Sequence, residues 1–179
     1  PPRSFCDGAD LRAIVLAAVG EALDPARTAS ARATSAPAAA VHDVRKAIRR
    51  TRAIVDLVSR ALPKRERKDI RNALVGARRS LGPARDLVVA SEALVAVATA
   101  PEVAPAAATI VDAARADAPT PQAIADDVSR AVAIALAQGD AIAAALPDEL
   151  SLRSLTRGLA ETYRRARRAR RKARRSDRA

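Results

Sequence analysis

Phe5 and Tyr163 are the only aromatic residues in a 179-residue chain that has no tryptophan and no methionine. Any core must therefore be assembled from alanine, valine, leucine and isoleucine. Strands favour aromatic and β-branched residues, whereas alanine-rich surfaces let helices approach closely. The apolar spacing agrees, recurring every three or four residues, and no alternating strand pattern is found. The expectation is an all-α fold, a helical bundle of about six or seven helices in one domain. With 49% apolar residues the chain has enough material for a core.

The spacing predicts a first helix over 9–23, with Leu11, Ile14, Val15, Ala18, Val19 and Ala22 facing inward, and a loop over 24–36. Pro37 suits the first turn of a second helix that runs to about Leu62, before Pro63 ends it. A third helix covers about 64–81, with Ile70, Leu74, Ala77 and Leu81 inward. Gly82 is placed to close it in a left-handed conformation, and Pro83 to begin a fourth containing Leu87, Val88, Leu94 and Val97. A shorter helix is expected at about 105–116 and a longer one at about 122–146, with Gly139 as a candidate bend. The last begins near Asp148, and Asp148 and Glu149 suit its positive end. Its apolar stripe, Leu152, Leu155, Leu159, Ala166, Ala169 and Ala173, thins from leucine to alanine. In this division residues 9–98 form a first bundle, 99–147 connecting helices and 148–179 a basic terminal helix.

The net charge of +12 is unevenly spread, with +8 over residues 1–100, −6 over 101–150 and +10 over the last 29 residues. Such separation points to a polyanion rather than to solubility alone. The densest basic segment surrounds the single histidine. At about 100° per residue His42, Arg45, Lys46 and Arg49 share one helix face, flanked by Arg50 and Arg52. Val44, Ile48, Val55 and Val58 share the other, with Ala47, Thr51 and Ile54. Asp43 is the one acid close by, whereas a face that serves only solubility mixes both signs. Lys64, Arg67, Lys68 and Arg71 form a second basic stripe on the third helix. Arg164, Arg168, Arg171, Lys172 and Arg175 form another on the last. Two plainer readings stay open: a solvated charged face on helix two and a frayed basic tail at the end.

Catalysis finds little support. One histidine and the lone Cys6 give no metal-ligand spacing, no nucleophile–base pair and no disulfide. No glycine-rich phosphate loop is present. Asp126 and Asp127 are adjacent, so on a helix they point apart. No metal, no cofactor and no enzymatic activity are expected. No apolar run approaches the roughly 20 residues that span a bilayer, so no membrane partner is expected. No secretory signal is visible, and the lone thiol suits reducing cytoplasm. The missing initial methionine suggests a piece of a longer chain.

Three motifs in order carry a family resemblance. They are His42-x-x-Arg45 with Arg49, Arg50 and Arg52, then Leu81-Gly82-Pro83-Ala84-Arg85-Asp86, then Tyr163-Arg164-Arg165-Ala166-Arg167. Over about 40–175 the chain resembles the CHAD family, the conserved histidine α-helical domain. The resemblance implies one four-helix bundle plus the basic opening helix of a pseudo-symmetric second half, around a basic cavity for inorganic polyphosphate. It also implies a second histidine helix after the Tyr163 segment, which residues up to Ala179 do not contain. An acid often stands two residues after the Arg-Asp pair, where this chain has Val88. The basic faces and the resemblance together put phosphate contacts on His42, Arg45, Lys46, Arg49, Arg50, Arg52, Lys64, Arg67, Lys68, Arg71, Arg85, Arg164, Arg165, Arg168, Arg171 and Arg175. Asp86 and Tyr163 take supporting roles. Triphosphatase domains of the CYTH type often accompany this family, but nothing here resembles their Glu-x-Glu strand.

The chemistry fits on its own terms. Guanidinium groups present paired donors to phosphate oxygens, and lysine acts as a mobile point charge. About eight contacts at roughly 1 kcal/mol each correspond to micromolar binding before ordering costs. His42 offers a ring N–H to phosphate, or else a hydrogen bond that fixes helix two. Arg85-Asp86 is a ligand contact or a structural ion pair. The expected function is non-catalytic polyphosphate binding in the cytoplasm, at polyphosphate granules. Nucleic-acid backbone is the competing partner, although the lack of aromatics argues against base stacking. A scaffold that docks acidic proteins is the other alternative.

Overall fold

The computed structural model describes residues 10–84, 109–110, 113 and 119–176. Among them five long helices occur and no strand: α1 (Leu11–Ala31), α2 (Pro37–Leu57), α3 (Lys64–Ser80), α4 (Pro121–Ala145) and α5 (Leu152–Ser176). The expected fourth helix with Leu87, Val88, Leu94 and Val97 lies outside the described residues. Of the expected helix at 105–116, residues 109, 110 and 113 are described, and all three are helical.

Helices α1 to α4 share one aliphatic core, and α2 packs against every other long helix. The chain runs back and forth. Arg32, just past α1, pairs with Asp43 of α2, and Arg45 of α2 reaches the carbonyl of Arg78 near the end of α3. α4 lies antiparallel to α1: Arg12 Nη2 donates to the Ala143 carbonyl at 2.9 Å, and the Ser30 and Ser129 hydroxyls meet at 3.3 Å. Among the described residues α4, which lies in the stretch read as connecting helices, joins α1, α2 and α3 in that core.

α2 sorts its residues as the period requires. Val44, Ala47, Ile48, Thr51 and Val55 are 0% exposed. Thr51 settles its hydroxyl there by donating to the Ala47 carbonyl at 3.0 Å. Pro37 occupies the first turn, as expected. The helix stops at Leu57 rather than Leu62, and a tight turn carries the chain to Pro63. Val58 takes the cap position and bonds back to the Ile54 carbonyl. The third helix keeps its expected inward residues, since Ile70, Leu74, Ala77 and Leu81 are all buried.

Several expectations are corrected. α1 does not end at Leu23 but continues to Ala31 through Pro25. Proline forfeits a backbone hydrogen bond and favours a break. Burial of Ala22, Leu23, Ala26 and Ala29 against the bundle outweighs that local preference. Ile14, expected inside, is 55% exposed. Gly82 does not close α3 in a left-handed conformation: Leu81 caps it at φ −85° and ψ 8°, and residues 82–84 turn helical at once. Asp148 and Glu149 lie outside α5, which begins at Leu152. Its first turn is held by Ser151, whose hydroxyl accepts from the Ser154 amide at 3.3 Å. α4 runs unbroken through Gly139, whose use is in packing. A Cβ there would lie 2.8 Å from Leu23 Cδ1, so the glycine lets α1 and α4 close on each other. By length and mean hydropathy α4 could also cross a membrane, against the expectation that no apolar stretch is long enough. In the fold one side of it, including Val128, Ala131, Ala135 and Ile142, belongs to the shared core.

α5 packs chiefly against the end of α2. Gly158 makes this contact possible, because a Cβ at that position would lie 1.9 Å from the Leu57 carbonyl oxygen. Of the expected apolar stripe, Leu155 packs on the core, while Leu152 and Leu159 are 50% and 60% exposed. The helix presents its glycine side to the bundle and leaves most of its leucine side in solvent.

Two substitutions test this packing. Ile48→Asp places a charge at a fully buried site and should unfold the domain, since an unpaired buried carboxylate costs a large share of the ~5–15 kcal/mol available to a domain. Gly158→Ala would stabilise an isolated helix by about 1 kcal/mol. Here the backbone clash dominates, and no side-chain rotation relieves it. Amide exchange in α5 should accelerate while α1–α4 stay protected; unchanged exchange would refute the close approach.

Candidate functional site

The bases of α2 stand opposite its buried face. His42, Arg49 and Arg50 are exposed, and Arg45, Lys46 and Arg52 are half-buried. The nearby acid, Asp43, is already paired with Arg32. Among the described residues His42, Lys46, Arg49, Arg50 and Arg52 make no hydrogen bond or ion pair, so no bond from His42 fixes the helix. Arg45 donates Nη1 to the Arg78 carbonyl at 3.2 Å, placing a cation at the negative end of α3. Like charges three or four residues apart on a helix repel by about 0.2–0.5 kcal/mol per pair. This face is therefore held under mutual repulsion among its cations.

α3 runs beside it. Lys64, Arg67, Lys68, Arg71 and Asn72 line a groove of about 270 Å³. Arg67 donates Nη1 to the Ser59 carbonyl in the turn after α2, which holds that guanidinium against the groove wall. Lys64 and Lys68 are exposed.

A second groove, also about 270 Å³, is lined by Arg60, Arg157, Glu161 and Arg164 where α5 crosses the end of α2. Asp56 links a base of the first groove to the helix that lines the second. Its Oδ1 takes Arg71 Nη1 at 2.7 Å and Arg165 Nη1 at 3.4 Å, joining α3 to α5 through one carboxylate of α2. Glu161 pairs with Arg60. That hydrogen bond, aided by the charges of Arg60, Arg164 and Arg165 and opposed by desolvation, holds the Glu161 carboxyl below its usual 4.5.

The structure therefore gathers Lys64, Arg67, Lys68, Arg71, Arg164 and Arg165 around the α2–α5 crossing. His42 lies about 21 Å from Asp56 along the α2 axis, at roughly 1.5 Å per residue. The α2 bases form a line leading to the crossing rather than part of it. Arg168 and Arg171 lie on the exposed end of α5, where Arg168 Nε bonds only to the Arg164 carbonyl at 3.4 Å among the described partners. Tyr163 is 63% exposed, with the Arg167 guanidinium 5.9 Å from its ring centroid. Arg85, Asp86 and the side chain of Arg175 lie outside the described residues.

Sequence reasoning missed Asp56, Arg60, Arg157 and Glu161. One signal was available: by the same 100° step Asp56 falls on the His42 face. Glu161 is likewise the one acid in a long run of bases. Among the described residues no His, Cys, Asp and Glu side chains form a group able to hold a metal ion.

Because the Glu161 carboxyl is depressed in the folded chain, its contribution is fully present above the ordinary carboxylate value. It is lost as pH falls through that value toward the depressed native one. Amide exchange in α5 should therefore accelerate below about pH 4.5, before α1–α4 lose protection. Glu161→Gln should shrink that step; a step of the same size in the variant would assign it to another group.

No curated protein and no solved structure matches the chain. The CHAD domain family profile matches residues 17–179, nearly the whole chain. With its all-helical architecture and its histidine helix in place, this chain belongs to the CHAD domain family.

Proposed function

We propose that this chain binds inorganic polyphosphate without transforming it, along a track running from the α2 bases to the α3 groove and the α5 crossing. CHAD domains are known as polyphosphate-binding modules. The observation that carries the reading for this chain is the unpaired line of His42, Lys46, Arg49, Arg50 and Arg52, in which the acid within the line, Asp43, is neutralised by Arg32 and the acid beyond it, Asp56, by Arg71 and Arg165. A phosphate chain offers repeating charge and little else, so a row of side chains at helical spacing suits it better than an enclosed pocket does. The proposed binder acts in the cytoplasm, at polyphosphate granules.

A second reading draws on α5. From Tyr163 to Arg171 every residue is exposed, and six of the nine there are arginines. A strip of this kind also suits the phosphate backbone of a nucleic-acid duplex.

Competition at two salt concentrations separates the two. Linear polyphosphate should displace a labelled polyphosphate more effectively than duplex DNA of equal total charge; equal displacement would favour the nucleic-acid reading. Lys46→Ala with Arg49→Ala should weaken polyphosphate about ten- to thirty-fold, since two charge-assisted contacts are lost. Melting should barely change, because neither side chain carries a described contact. Removing everything after Tyr163 should weaken binding further and flatten its salt dependence.

A further inference from the structure

One carboxylate, Asp56, ties a base of the first cationic groove to the helix that lines the second. Asp56 is 21% exposed and sits on the basic side of α2, between Arg71 of the first groove and Arg165 beside the second. Glu161 holds Arg60 within the second groove itself. The guanidinium groups that would join the grooves are thus already engaged by the chain's own acids. Lys64 and Lys68 of the first groove, by contrast, hold no described partner, nor do Lys46, Arg49 and Arg50 along α2.

We propose that Asp56 sets the length of polymer this domain prefers, by withholding the α5 groove from short phosphate chains. This rests on the polyphosphate reading above and deepens it. A short oligophosphate finds its charge contacts on α2 and in the α3 groove without meeting Asp56. To reach Arg164 and Arg157 a chain must pass the Asp56 carboxylate, which repels it, and must take Arg71 and Arg165 from that carboxylate. A long chain already anchored on α2 and α3 brings its next phosphate groups to the crossing at high effective concentration. It can exchange a partly exposed ion pair, which is a modest barrier. An unanchored short chain lacks that advantage. Gly158 against the Leu57 carbonyl keeps α5 in place during the exchange, since it involves no charge.

Binding should therefore rise in a step once the polymer is long enough to cross Asp56. Titrating the whole chain with linear polyphosphates of increasing length, from tripolyphosphate upward, would locate that step. Amide exchange would report whether residues 160–168 respond. In the unaltered protein the α5 amides should change with long polyphosphate and not with tripolyphosphate. Asp56→Asn, which keeps the shape and removes the charge, should move the step to shorter chains and tighten tripolyphosphate about two- to fivefold. Asp69→Asn, which removes an acid paired with Arg65 away from the crossing, should leave the step where it is.

If Asp56 were only a staple, Asp56→Asn would weaken every length alike and loosen α5, and that result would overturn the proposal. An unmoved step would overturn it too. Should the variant not fold, equal responses of the α5 amides to short and long chains in the unaltered protein would be decisive against it. Failure of any polyphosphate to bind would instead remove the underlying reading.

Discussion

A helix can bury one stripe of its surface, and whatever stands outside the stripe must face water or a ligand. In α2 that rule is applied without exception over five turns. Val44, Ala47, Ile48, Thr51 and Val55 are fully enclosed, and each large aliphatic side chain among them stabilises the fold by roughly 1.5–3 kcal/mol. Because α2 packs on α1, α3, α4 and α5 together, its orientation determines theirs. The basic face is then presented as a consequence: the core holds α2 in one rotation, and the cations have no other place to go.

Acids, more than bases, organise the charged surface. Asp43 is drawn to Arg32, which leaves the first half of the basic face without a countercharge. Asp56 gathers Arg71 and Arg165, and Glu161 gathers Arg60, so the second half is knitted together. One helix therefore carries an open cationic stretch and a closed one. Exposed ion pairs of this kind contribute little to stability, about 0–1 kcal/mol each, so their arrangement matters more for where an anion can bind.

Legibility was uneven, for physical reasons. The faces of α2 and α3 were readable because both are strongly two-sided, and Pro63 between them marks a boundary. The end of α1 was not, because Pro25, Thr28 and Ser30 read as a loop until burial of Ala26 and Ala29 against a partner is known. α5 misled in a different way. Its leucines read as the buried side, yet the backbone contact at Gly158 turned a neighbouring side inward, and a missing side chain is a weak signal in a hydrophobic pattern. The site showed the same division: the bases were countable in the sequence, whereas Asp56 had value only once Arg71 and Arg165 converged on it from other helices.

The sequence by itself determined that the chain is helical, that its core is aliphatic, and that one face of the histidine helix is cationic. These follow from composition and from a period of 3.6 residues, both of which are local. Family membership was also readable, since ordered motifs survive without knowledge of contacts. Tertiary structure alone decided which cations are neutralised and which stay open. It also decided which side of α5 meets the bundle, and that a single carboxylate holds bases from two other helices. Each of these depends on pairs of residues from 11 to 109 positions apart in the chain, and no local pattern encodes the meeting of such distant groups.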